Sequence, residues 1–235
     1  MDESPGSEAA IYRDGTYLER NEIRQVEDSP WKAEHIAAML MRNNLDPRWI
    51  CEVGCGDGEI LRQLSVRFGS AHFVGYELSP QAFRLCAERA SERVSFRRAN
   101  LADENVHYDC LLCIDVLAHV EDYLGFLRAL KRRADYKVFH IPLDLSALSV
   151  LRGATIEERD GVGHLHCFTC DTALATLRDC GFEILDSFYT AHFVNWPART
   201  PAAKIERAIR KFVFAVSPDF AARLWGGCSL LVLAR

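Results

Sequence analysis

No stretch of the 235 residues approaches the roughly 18 uncharged apolar residues needed to cross a bilayer, so no membrane insertion is expected. The opening MDESPGSEAAIYRDG lacks a basic segment followed by an apolar one, so no secretory leader is read and a cytoplasmic location is predicted. A basic excess is also missing: 28 Lys plus Arg stand against 33 Asp plus Glu, a net charge of −5, which argues against nucleic acid as a partner. There is no internal repeat and no low-complexity linker. The economical division is therefore a disordered tail at 1–10 and one domain over 11–235. The nine cysteines are odd in number, and Cys51, Cys86, Cys110, Cys113, Cys180 and Cys228 fall in apolar periodic segments, where free thiols act as small core residues. No disulfide framework follows.

What is present is an alternation of short apolar runs with amphipathic ones. A helix is predicted from Ser29 as N-cap, with Pro30 in its first turn, because Trp31, Ile36, Leu40 and Met41 recur at helical spacing before Asn43 and Asn44. Strands are predicted at Trp49–Val53, Ala71–Glu77, Val94–Phe96 and Tyr108–Ile114, with a fifth at Tyr136–Ile141 stopped by Pro142. Helices are predicted at Glu59–Phe68, Ser79–Ala90 and Glu121–Arg133. This rhythm gives a doubly wound α/β fold with a mostly parallel sheet. After the fifth strand the pattern breaks into an apolar patch, Leu145–Leu151, and the polar run Glu157–Gly161. It resumes with a helix at Asp171–Cys180, a strand at Phe182–Tyr189, an amphipathic helix over 201–215 and a last strand at Cys228–Ala234.

The first strand leads into Glu52-Val53-Gly54-Cys55-Gly56-Asp57-Gly58, three glycines at alternate positions. A P-loop would need a lysine after its last glycine, and Glu59 stands there. A dinucleotide loop spaces its glycines differently and faces a pyrophosphate, which Glu52, Asp57 and Glu59 would repel. Glu77, at the end of the second strand, suits the two hydroxyls of a ribose. The loop calls for a ligand with a ribose, a cationic part and no phosphate.

With these residues in place, the chain resembles the class I S-adenosylmethionine-dependent methyltransferases, in particular the small-molecule group. The resemblance spans about residues 48–189 and rests on the glycine loop, Glu77, Asn100-Leu101 and Asp115-Val116-Leu117-Ala118-His119-Val120-Glu121-Asp122. It implies a seven-stranded Rossmann-like sheet with an antiparallel last strand, S-adenosylmethionine as cofactor and S-adenosylhomocysteine as product. It further implies that Gly54, Gly56 and Gly58 let backbone approach the methionine part and that Glu52 and Asp57 lie near its ammonium. Glu77 would hold the ribose, Leu78 would pack on adenine, Asn100 and Leu101 would contact the adenine edge and face, and Asp115 with Val116 would sit at the methionine end. The same resemblance implies a helical lid over about 11–45, in which Tyr12, Tyr17 and Trp31 either cover the cleft or staple the first helix. A cofactor core over about 48–142 and substrate-side insertions over about 143–168 and 190–226 complete it.

Methyl transfer needs alignment first and a base only when the acceptor must lose a proton. Candidate catalytic residues are His119 after the fourth strand, Asp144 beyond the fifth, and His164 or His166 in Gly163-His164-Leu165-His166-Cys167-Phe168-Thr169-Cys170. His140 reads as a core or strand-end histidine. No metal is expected: Cys110 and Cys113, three apart on a strand, point to opposite faces, and Thr169 or Asp171 reads as a helix cap rather than part of a zinc site. The missing Asn/Asp-Pro-Pro-Tyr/Phe motif disfavours base methylation, so the acceptor is expected to be a small molecule, such as a sugar, a glycolipid precursor or a secondary metabolite. Alternatives are aminopropyl transfer on the same fold and a non-catalytic cofactor-binding subunit. The basic helix from Lys204 to Lys211 reads as a solvated face.

Overall fold

The computed structural model describes residues 16–191 and 200–235; the tail at 1–10, Tyr12 and the side chain of Tyr17 lie outside what it describes. The elements run α1 (Thr16–Arg42), β1 (Trp49–Val53), α2 (Glu59–Arg67), β2 (His72–Tyr76), α3 (Pro80–Ala87), β3 (Val94–Arg97), β4 (Tyr108–Ile114), α4 (Tyr123–Lys131) and β5 (Ala134–Leu143). They continue α5 (Ala147–Arg152), α6 (Ala154–Val162), α7 (Cys170–Asp179), β6 (Ile184–Thr190), α8 (Pro201–Val216), α9 (Pro218–Trp225) and β7 (Cys228–Ala234). The seven strands form one sheet in the order β3-β2-β1-β4-β5-β7-β6. β7 is antiparallel to both β5 and β6, and the other neighbouring strands are parallel.

Both faces of the sheet are covered at its centre, which is why β4 and β7 are almost continuously apolar while the edge strands β3 and β6 carry polar residues. Ile36, Leu40, Leu61, Leu64, Phe73 and Leu112 build the core on the side of α1 and α2. Leu111, Leu127, Leu130, Phe139, Leu177 and Val232 build the other, under α4 and α7. Cys110 and Cys113 fall in these two separate cores, as their spacing on a strand requires.

Four local expectations change. α1 does not start at Ser29 but runs through Pro30, whose missing N–H removes a single backbone bond while Ala33, Ile36, Ala37, Met39 and Leu40 anchor the helix beyond it. β5 does not stop at Pro142. β4 ends opposite His140, so Pro142 faces only Ser229 of β7 and sits on a local sheet edge where proline is tolerated. The polar run after Ile156 is helical, as α6, set off from α5 by Gly153 at φ 71°. The segment before β7 holds two helices rather than one, split at Ser217, which caps α9.

The directions of the strands fix where a ligand can go. The carboxyl ends of β1, β2, β4, β5 and β6 share one edge of the sheet, so the glycine loop, Glu77, Asp115, the α5–α6 segment and the β6–β7 connection gather there. Open α/β sheets bind ligands at that edge.

Candidate active site

The glycine loop is built for close approach. Gly54, Gly56 and Gly58 have φ of 66°, 56° and 79°, in the left-handed region. A Cβ on Gly54 would lie 2.7 Å from Val116 Cγ2, and one on Gly58 would lie 2.5 Å from the Phe96 ring. Glu77 ties the loop to the end of β2: its Oε2 accepts from the Gly56 N–H at 2.9 Å and its Oε1 from the Ser79 N–H at 2.7 Å. Burial raises the Glu77 pKa against these backbone bonds. Each oxygen keeps a further lone pair, the arrangement a pair of ribose hydroxyls requires.

Next to it, Leu78 is 59 % exposed, an apolar side chain left open beside the Glu77 carboxylate. Asn100 accepts from the Ala102 N–H and donates to Asp103, capping a short 3-10 turn. Leu101 is fully buried in the core, so its side chain cannot present a face to a ligand. Asp57 accepts from the Glu59 N–H and pairs with Arg89 at 3.1 Å, and Arg89 also reaches Glu59 and the Asp57 carbonyl. Its carboxylate is therefore engaged in shaping the loop and faces α3.

Glu52 differs from Asp57, whose Oδ2 also lacks a hydrogen bond but stands 3.1 Å from the Arg89 guanidinium. It is 1 % exposed, and its Oε2 has no hydrogen-bond partner among the described residues. Burial, reinforced by Asp57, raises its pKa well above the carboxylate range, while Lys32 opposes the shift. An orphaned carboxylate oxygen beneath a glycine loop is a place for a cationic group. The ammonium of S-adenosylmethionine fits it, while Val116 and Phe96 fill the space where a Cβ of Gly54 or Gly58 would lie, so the loop has to be glycine to close down there.

Asp115 stands at the carboxyl end of β4 with φ 57°. Lys32 of α1 donates to it at 2.8 Å and His140 Nδ1 at 2.5 Å, while His140 Nε2 lies 2.8 Å from Thr190 Oγ1. Burial works against ionisation, but His140 and Lys32 outweigh it and hold the Asp115 carboxyl far below the ordinary range. Burial likewise lowers Lys32, and Asp115 more than restores it, leaving its pKa above the ordinary value. A polar row thus runs from α1 across β4 and β5 to β6, with the Trp31 ring edge-on to His140 at 6.3 Å. Sequence reasoning missed Lys32, although a signal existed: it stands four and eight residues before Ile36 and Leu40, on the buried stripe of the helix.

The histidine stretch separates into two roles. His164 Nδ1 lies 2.6 Å from Asp144 Oδ2, and the His164 ring meets the His119 ring edge-on at 4.7 Å. His119 Nδ1 donates to the Gly163 carbonyl at 3.0 Å. His166 points elsewhere: its Nε2 donates to the Val120 carbonyl at 3.0 Å and its ring lies against Tyr123. It fastens residues 163–168 across the turn after β4, together with the Leu165 and His166 N–H groups bonded to the Ala118 carbonyl. Burial would depress His164, but the bond and charge of Asp144 hold its pKa above the ordinary value. Burial, and then the neighbouring His164, push His119 down to about 4. Thr169 caps α7 reciprocally with Thr172, so that residue is structural.

Comparison with known proteins identifies the family and the fold. A family model described as "Methyltransferase domain" matches residues 26–187, more than half of the chain. A search of curated proteins by sequence returns no match. Among solved structures, magnesium protoporphyrin IX methyltransferase from Synechocystis PCC 6803 with bound S-adenosylmethionine is similar at TM-score 0.62 and 15 % identity, over 100 % of this chain and 99 % of that one. The N-methyltransferase NodS from Bradyrhizobium japonicum WM9, bound to S-adenosylhomocysteine, is similar at TM-score 0.54 and 13 % identity, over 86 % of each chain. The [4+2]-cyclase SpnF is similar at TM-score 0.54 and 19 % identity, over 80 % of this chain and 74 % of that one. At these identities the likeness concerns the fold, and the family match carries the rest. The chain belongs to the methyltransferase-domain family and is an S-adenosylmethionine-dependent methyltransferase.

Proposed function

We propose that the protein methylates a small molecule at an oxygen or nitrogen that carries a hydrogen, and that His164, oriented by Asp144, takes up the proton. The observation that carries this reading is the 2.6 Å Asp144–His164 contact at the ligand end of the sheet. When bound, the cofactor supplies a methyl group already activated on a sulfonium, so the protein has to align the acceptor and manage a proton. With Nδ1–H donated to Asp144, the lone pair of His164 is on Nε2, the atom left to receive the acceptor's proton. Neutral His119 beside it adds no second positive charge as His164 protonates.

Toward the cofactor, we assign Glu52 to the ammonium, Glu77 to the ribose hydroxyls, Leu78 to the adenine face and Asn100 to the adenine edge. Leu101 contributes backbone only. Gly54, Gly56 and Gly58 admit the methionine part against Val116, while Asp57 and Asp115 act through Arg89 and Lys32 to hold the loop and the floor of the site. We place the acceptor beside 143–168 and the described part of the 190–226 insertion, of which 192–199 lie outside the described residues. A small-molecule acceptor accords with a relative of the same fold, named for magnesium protoporphyrin IX, and with the lack of a basic excess in this chain. Nine free thiols accord with a reducing, cytoplasmic setting.

The test is incubation with S-adenosylmethionine and fractionated metabolite extract, following S-adenosylhomocysteine release and the mass of each metabolite. A metabolite heavier by one methyl group should appear in step with S-adenosylhomocysteine. Its rate of formation should rise with pH through a group titrating above the ordinary histidine value of 6.5. Cofactor binding with no methylated product from any fraction would contradict the proposal.

A further inference from the structure

Helix α8 is amphipathic the wrong way round. Its inward face carries Phe214, which packs against the core, and the half-buried Arg210, which donates to the Gly226 carbonyl at 2.9 Å. Its outward face is a continuous apolar stripe of Ile205, Ile209, Phe212 and Val216, which are 64, 50, 70 and 71 % exposed. These residues recur at the spacing of one helical side, and Phe220 of the adjoining α9 extends them at 54 % exposed. A surface helix of a water-soluble domain ordinarily turns such a stripe to the core, and a contiguous exposed apolar surface marks an interaction site.

We propose that α8 and Phe220 dock the protein on a bilayer surface bearing anionic headgroups. Charge chooses this occupant. Of the four basic residues in the helix PAAKIERAIRKFVFAV, Arg210 is turned inward and Arg207 is half-buried, so the fully exposed charges are Lys204 and Lys211 against Glu206, a local basic excess in a chain of net charge −5. Lys204 and Lys211 are exposed and flank the stripe on one side, where their stems can lie along apolar surface and their ammonium groups reach phosphates. Sixteen residues give a rod about 24 Å long that lies flat with its apolar face in the headgroup region. No helix of the described residues is long and apolar enough to cross a membrane, so the contact is peripheral. A second copy of the chain on the same stripe would bring like-charged helices together. The position also has a consequence. α8 and α9 lie in the β6–β7 connection, at the ligand end of the sheet, and α9 packs on α5, where Val150 and Leu151 are exposed as well. Docking there turns the cleft toward the lipid.

The experiment is co-sedimentation of the full chain, without cofactor, with vesicles of phosphatidylglycerol and phosphatidylcholine in equal parts or of phosphatidylcholine alone. The protein should partition onto the anionic vesicles, and added salt should weaken the binding. Phe212→Asp should reduce partitioning about 10- to 100-fold, the effect of losing one buried aromatic side chain. Lys204→Glu with Lys211→Glu should reduce it about 30-fold or more. All of these positions are exposed, so thermal unfolding of the variants should match the parent. Absence of binding to either vesicle would overturn the proposal, as would a Phe212-dependent dimer in light scattering. Either result leaves the methyltransferase reading untouched, because neither cofactor nor acceptor enters the measurement.

Discussion

Replacing His164 by alanine should lower kcat about 10²- to 10⁴-fold, the usual contribution of a positioned base, and leave the dissociation constant for S-adenosylmethionine within about twofold of wild type. The asymmetry follows from placement. His164 contacts Asp144 and His119 across the turn after β4, while the glycine loop is tied to the end of β2 by Glu77. Asp144→Asn separates the base from its orienting partner. The amide carries no charge, so the His164 pKa should fall and the rising limb of the pH–rate profile should move to lower pH. His166→Ala should behave differently, loosening residues 163–168 and raising KM more than it lowers kcat. If His164→Ala retained more than about a tenth of kcat, the proton would be leaving by another route.

Asp115→Asn should destabilise the protein by about 3 kcal/mol in chemical denaturation, a large share of the roughly 5–15 kcal/mol typical of a domain. The change leaves the buried Lys32 ammonium without its counter-ion and weakens the bond to His140. Asparagine tolerates the left-handed backbone at φ 57°, so the loss would report charge and not strain. The sign with pH is definite. The folded carboxyl titrates far below the ordinary 3.8, so its stabilising contribution is complete at neutral pH and is lost only as pH falls below that value. Lys32→Met combined with Asp115→Asn should recover most of the loss by removing both charges. A single-variant loss below about 1 kcal/mol would mean that the pair behaves like an exposed one.

These two sites also show where sequence reading succeeds and where it stops. The loop and its acid were legible because the backbone there needs glycine at positive φ and because Glu77 ends a strand whose apolar pattern is unmistakable. The choice between His164 and His166 was not legible. Both flank Leu165 in an extended stretch, and what separates them is Asp144, twenty residues earlier and returned to the site by two helices, one of which has a polar sequence with little periodicity. Asp57 looked equivalent to Glu52 in the sequence. Each leaves one buried oxygen without a hydrogen bond, and only the three-dimensional placement of Arg89 gives Asp57 an ion-pair partner at 3.1 Å. Leu101 read as a ligand contact and proved to be core, since a short capped turn folds its side chain under the sheet. Lys204–Lys211 read as a solvated basic face because four of those eight residues are lysine or arginine. The inverted orientation of α8 depends on which side Phe214 packs, a tertiary fact.

On this reading the glycine loop receives S-adenosylmethionine over the buried carboxyl of Glu52, whose ionised form a cation stabilises. Calorimetric titration of the wild type and Glu52→Gln, each in two buffers of different ionisation heat, tests it most directly. Burial raises the Glu52 pKa and an arriving ammonium lowers it, so at pH values between the two binding should release a proton, the observed enthalpy should depend on buffer and the affinity should increase with pH. Glutamine costs less to bury than a carboxylate and leaves the fold intact. It should abolish the buffer dependence and weaken binding by about 1.5–3 kcal/mol, roughly 10- to 150-fold. Equal affinities for the two proteins, with no buffer dependence in either, would place the cofactor's ammonium elsewhere and contradict the account.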